Sequence, residues 1–196
     1  MKKKFIFSLF LFPISFITVS FLQLNLYHLI LITPSVVQAA NWNKYNVVFK
    51  NGLRHLDQEN YQKALEFFTK AIDTYKRDPA AYYNRGLANQ ELGNYQEAID
   101  DFKKSMTMDG KMYKANSHNN IGWSYIQLEE YDKALFHLNK AIEIKPKEGM
   151  FYSDKGDALY ELGKEEEACA NYIKSSELGY EEIKNYLNSS DGDWCK

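Results

Sequence analysis

The chain has 196 residues, 24 of them basic and 26 acidic, so it is close to neutral. That balance argues against nucleic-acid binding, which needs a basic track to displace counterions. With 15 tyrosines and 12 phenylalanines but only four prolines, the composition suits helices packed through aromatic contacts.

Residues 1–39 stand apart from the rest. Lys2, Lys3 and Lys4 open the chain, and no further charged residue appears before Lys44. Two apolar runs, "FIFSLFLFPISFITVSFL" and "LNLYHLILIT", fill the interval, followed by the small-residue exit "SVVQAA". A basic start, an apolar body and a small-residue exit make an export signal, here with a cut expected between Ala39 and Ala40. The apolar body is longer than a usual signal core and is long enough to span a bilayer. The segment therefore reads either as a cleaved signal or as an uncleaved anchor through residues 5–33, with the lysines inside. In both cases residues 40–196 lie on the exported side, with 40–44 as a linker.

Beyond residue 44 one phrase recurs: "NYQKALEFFTKAI" from Asn60, "NYQEAIDDFKKSM" from Asn94, "EYDKALFHLNKAI" from Glu130 and a looser "EEEACANYIKSSE" from Glu165. Gly52, Gly86, Gly122 and Gly156 are spaced by 34, 36 and 34 residues, and Ala64, Ala98, Ala134 and Ala168 keep the same intervals. Two markers in one phase at this period indicate stacked helical units. Each unit reads as two helices, with apolar or small residues at intervals of three and four. The glycine and alanine allow close approach of the pair, and Phe68, Phe102, Leu138 and Tyr172 fill the contact. Four units are expected over about 45–78, 79–114, 115–148 and 149–178. The two-residue insertion near Met108 to Ala115 should bend the stack locally. Gly179 turns the chain into a short helix, Tyr180 to Leu187, within a capping segment 179–196. A cap is needed because one unit cannot bury its apolar face alone.

The pattern resembles the tetratricopeptide repeat. Tyr82, Gly86, Tyr95, Ala98 and Phe102 carry the likeness in the second unit, and Tyr152, Gly156, Ala158, Ala168 and Tyr172 in the fourth. The resemblance implies an all-α, right-handed α-solenoid whose first helices line a concave groove for a protein or peptide partner. Carried over by position, that groove takes Lys50 and Leu53 from the first unit, then Tyr83, Asn84, Leu87 and Glu91. The third unit supplies Asn119, Asn120, Trp123 and Gln127, and the fourth Ser153, Asp154, Asp157, Tyr160 and Glu161. Asparagines suit the backbone of an extended peptide, aromatic rings suit apolar anchors, and the acidic fourth unit suits a positive end. The lysine-rich clamp of chaperone-binding relatives is missing, since Lys50 alone is basic at those positions.

Cys169 reads either as a small core residue or as the partner of Cys195. Exported thiols tend to pair, a cap running back along the last unit would return the tail towards Cys169, and the resemblance to exported bacterial repeat proteins ending "AC…ELG…WC" points the same way. His55, His118 and His137 show no metal-ligand spacing, and no nucleophile elbow, phosphate-binding loop or zinc-protease motif occurs. The sequence thus indicates no cofactor, no metal and no enzyme. It indicates a binding scaffold or, in a different class, a structural or assembly subunit of a cell-envelope or membrane complex.

Overall fold

The computed structural model describes residues 34–108 and 113–195. All its regular structure is helical: α1 (Pro34–Asp57), α2 (Tyr61–Thr74), α3 (Pro79–Glu91), α4 (Tyr95–Thr107), α5 (Lys114–Gln127), α6 (Tyr131–Ile144), α7 (Gly149–Glu161), α8 (Glu165–Glu177), α9 (Glu181–Asn188) and a 3₁₀ segment, Ser190–Cys195. The expected signal or anchor falls mostly outside the described residues. Among those described, no helix is long and apolar enough to cross a membrane. The chain divides after Trp42, and the second unit, Asn43–Lys196, holds the repeats.

Residues 40–44 correct one expectation. They are not a linker but part of α1. No Pro or Gly interrupts the sequence between Pro34 and Gly52, and a proline suits the first turn of a helix. Residues 37–44 are nevertheless exposed, and packing begins at Tyr45, which is 2% exposed. The two-residue insertion falls in the connection between α4 and α5. Residues 109–112 of that connection, and with them the bend expected there, lie outside the described residues.

Each repeat is a hairpin of two helices, and the turns share one device. Asn60, Asn94, Glu130 and Lys164 each donate their backbone N–H to the carbonyl five residues back, on His55, Asn89, Tyr125 and Leu159. That bond closes the end of the first helix in the manner of a Schellman turn. The residue before it must be left-handed. Gly93 and Gly163 take that conformation freely, whereas Glu59 and Glu129 take it at φ 56° and 58°. The turn from α8 into α9 uses the same bond, from Tyr180 to Ser175, with Gly179 at φ 86°.

Inside each hairpin, glycine faces a large side chain. A Cβ on Gly52 would sit 2.7 Å from the Phe68 ring, on Gly86 2.8 Å from Phe102, on Gly122 2.6 Å from Leu138 and on Gly156 2.5 Å from Tyr172. The paired alanines, Ala64, Ala98, Ala134 and Ala168, are wholly buried. Full burial of a ring such as Phe102 contributes about 2–3 kcal/mol, so the four contacts together form the spine of the stack. Tyr45 stacks on Phe49, and Phe49 meets Phe68 edge-on, so aromatic rings fill the contact in the first unit.

The last unit is closed by α9. Ile183 packs with Leu159, Ala168 and Tyr172, flanked by Tyr186 and Leu187. Trp194 lays its ring 5.1 Å from Tyr160 and donates its indole N–H to the Tyr186 hydroxyl at 2.8 Å. The tail returns so that the Cα atoms of Cys169 and Cys195 stand 5.2 Å apart, the spacing of a disulfide pair.

Candidate functional site

The first helices of the second, third and fourth units are tied side by side through polar side chains. Gln90 on α3 donates to the Asn120 carbonyl at 2.9 Å and to Ser124 Oγ at 2.8 Å on α5. Asn119 on α5 donates through Nδ2 to Asp154 Oδ2 on α7 at 2.6 Å. These bonds fix the spacing of three parallel helices, and a hollow of about 400 Å³ opens along them.

Leu87 and Glu91 form the α3 side of the hollow. Asn119, Asn120 and Trp123 form its floor, and Met150, Ser153, Asp154 and Asp157 its α7 side. Tyr180 and Glu182 come over from the cap. Trp123 leans edge-on against Tyr95 of α4, 5.8 Å between ring centres, so the ring is held on one side and lines the hollow on the other.

Charge is the distinguishing property of this place. Asp154 and Asp157 are three residues apart on one face of α7, and Glu182 joins them from the cap. Among the described residues no lysine or arginine forms an ion pair with any of the three. Burial lifts the Asp154 carboxyl to about 7. The Asn119 amide opposes the rise, while Asp157 and Glu182 add to it. Burial raises Asp157 as well, against the pull of the hydrogen bond it accepts from the Tyr172 hydroxyl at 2.8 Å. Asn119 is 2% exposed, and its Oδ1 finds no hydrogen-bond partner among the described residues.

A second buried aspartate is treated differently. Asp101 on α4 receives Arg85 in a two-pronged contact, Nε at 2.8 Å and Nη2 at 2.6 Å, and also Asn89 Nδ2 at 3.1 Å. The bond to Asp101 raises the Arg85 guanidinium further above its already high value, while burial raises the Asp101 carboxyl too, against the pull of Arg85 and Asn89.

Of the groove residues expected from sequence, the hollow gathers Leu87, Glu91, Asn119, Asn120, Trp123, Ser153, Asp154 and Asp157. Tyr83, Asn84, Gln127, Tyr160, Glu161, Lys50 and Leu53 do not line it. The Tyr83 hydroxyl accepts from Asn120 at 3.2 Å while its ring packs on Phe102 and Tyr113. Asn84 donates to Ala80 of its own helix at 2.8 Å. Tyr160 is drawn to Trp194 at the tail, Glu161 accepts from Tyr131, and Leu53 packs with Ala64, Phe68 and Ala88. Gln90, Met150, Tyr180 and Glu182 were not expected there. Gln90 was findable, because it follows Leu87 by three positions on one helix face.

His118 and His137 meet with their Nδ1 atoms 3.0 Å apart. Burial lowers both, His137 to about 4, and nearby lysines act in the same direction. One proton between the two nitrogens satisfies that contact, and the lowered values favour the neutral form of both rings. Among the described residues no group of three or more metal-capable side chains assembles.

Comparison with known proteins places this architecture. A tetratricopeptide-repeat family model matches residues 77–147, the second and third units. The photosystem I assembly protein Ycf3 of Prochlorococcus marinus is 28% identical over 127 residues, covering 56% of this chain and 73% of that protein. The TPR repeat-containing protein MJ1428 of Methanocaldococcus jannaschii is 28% identical over 154 residues, 71% of this chain but only 27% of that longer protein. Among solved structures, the crystal structure of MamA superposes with a TM-score of 0.64 at 27% identity, covering 76% of this chain and 86% of that one.

Proposed function

The chain is a tetratricopeptide-repeat protein, and on that premise we propose that it is a non-enzymatic scaffold that holds a protein or peptide partner in its concave groove, on the exported side of a membrane. Members of this family bind other proteins; the groove assignment for this chain rests on the hollow between α3, α5 and α7. Trp123, Leu87 and Met150 offer apolar anchors, and Asp154, Asp157 and Glu182 offer the acidic end. A segment that is apolar with a positive end fits both halves.

The exported location is supported by the basic-apolar-small pattern of residues 1–39 and by the spacing of Cys169 and Cys195, which we read as a disulfide stapling the tail to α8. In a second reading the chain is an assembly subunit of a membrane complex. The likeness to Ycf3, an assembly protein by name, favours it, as does Phe136, an apolar ring 60% exposed on α6 and away from the hollow.

Photo-crosslinking separates the two. A benzophenone side chain at Trp123 is expected to capture the partner in cells, and one at Phe136 to capture little. Strong capture at Phe136 with none at Trp123 would move the interface to the outer surface and favour the assembly reading.

A further inference from the structure

The hollow holds an arrangement that the chain itself does not complete. Three carboxylates from two elements converge without a cation among the described residues. A charge taken out of water is held by an opposite charge or by several donors, as Asp101 is by Arg85 and Asn89. In the hollow, Asp154 has one amide donor, Asp157 one hydroxyl, and the exposed Glu182 the Tyr180 hydroxyl at 2.8 Å, with no cation on any of the three among the described residues. Asn119 adds a second, independent sign: a side chain 2% exposed, lining the same hollow, with an acceptor oxygen left over. The charged groups left without a cation in this place are all carboxylates, and the unpartnered Asn119 oxygen is a further acceptor, so a donor-rich cation matches them.

Resting on the groove reading above, we propose that the hollow is a subsite for a single arginine side chain of the partner polypeptide. Guanidinium has five N–H donors in a plane and no acceptor, which matches a ring of carboxylates and an amide oxygen better than the three donors of an ammonium. Its flat face also stacks on aromatic rings, and Trp123 and Tyr180 both line the hollow. A volume of about 400 Å³ admits the whole side chain. Glu182 and Tyr180 belong to the cap, so the cap is part of the binding site as well as a cover for the last unit.

The test uses the full-length protein and an array of short apolar peptides, each carrying one arginine, with copies in which arginine is replaced by lysine or by citrulline, its neutral isostere. Arginine peptides are expected to bind about tenfold or more tightly than their citrulline copies, with lysine between. Glu182→Gln, an exposed position that should not disturb folding, is expected to narrow the arginine–citrulline gap. Equal binding of arginine and citrulline peptides, with binding still lost in Trp123→Ala, would overturn the subsite and leave the groove standing. Binding that survives Trp123→Ala would overturn the groove itself. Lysine equal to arginine would overturn the guanidinium assignment, and no binding by any peptide would overturn the subsite and the groove together.

Discussion

Asp101 and Asp154 are both drawn into the fold, and they are equipped in opposite ways. Asp101 joins the two helices of the second unit and is met by a guanidinium and an amide from within the chain. Asp154 lies between the third and fourth units, has one amide, and is flanked by further carboxylates. The first arrangement is complete as it stands and works as structure. The second keeps a charge at a cost to stability, as sites reserved for a ligand often do. The contrast is the support in this chain's own side chains for the proposed binding place.

Breaking the complete region should have the largest effect. Asp101→Ala leaves Arg85 half-buried and unpaired, and is expected to lower unfolding free energy by about 3 kcal/mol in a denaturant titration. A loss below about 1 kcal/mol would mean that the pair is solvated and that the contrast is overdrawn.

Releasing the tail tests the other region. Cys169→Ser with Cys195→Ser opens a loop of sequence separation 26 and should cost about 3 kcal/mol on a loop-entropy estimate. Hydrogen exchange should speed in α8 and α9 and stay unchanged in α3 and α4. Uniform acceleration would show that the two regions are not separable. Gly156→Ala pushes a Cβ into Tyr172 and should cost about 2 kcal/mol while breaking the hydroxyl bond to Asp157. An unchanged denaturation midpoint would show that the ring moves freely. The smallest effect lies outside both regions. Glu129→Gly relieves a left-handed residue and should raise stability by under about 1 kcal/mol, read as a small rise in Tm.

The repeat was legible because each unit repeats the same steric problem. Gly86 must meet Phe102 and Gly156 must meet Tyr172, so the markers keep their phase in the sequence. The hollow was legible only in part. Trp123 and Asp154 sit at repeat positions, so their direction follows from the period. Glu182 and Tyr180 do not, because the cap lies outside the period and its docking depends on Ile183 finding Leu159 and Tyr172. Tyr160 occupies a groove position by count, but Trp194, a tail residue with no counterpart in earlier units, takes its ring. Residues 40–44 continue a helix for a simpler reason: nothing in the sequence there stops one.

The most direct measurement compares the stability of Asp154→Asn with Asp101→Asn across pH. The Asp154 carboxyl is raised in the folded chain, so its ionised form opposes folding above about pH 7, the penalty shrinks as pH falls towards about 4, and it vanishes below that. The account predicts that Asp154→Asn is more stable than the parent by about 1–3 kcal/mol at about pH 8, with the gap closing towards about pH 4, while Asp101→Asn is less stable at about pH 8. If Asp154→Asn were destabilised at about pH 8 as Asp101→Asn is, Asp154 would be structural and the hollow would hold no charge in reserve for a partner.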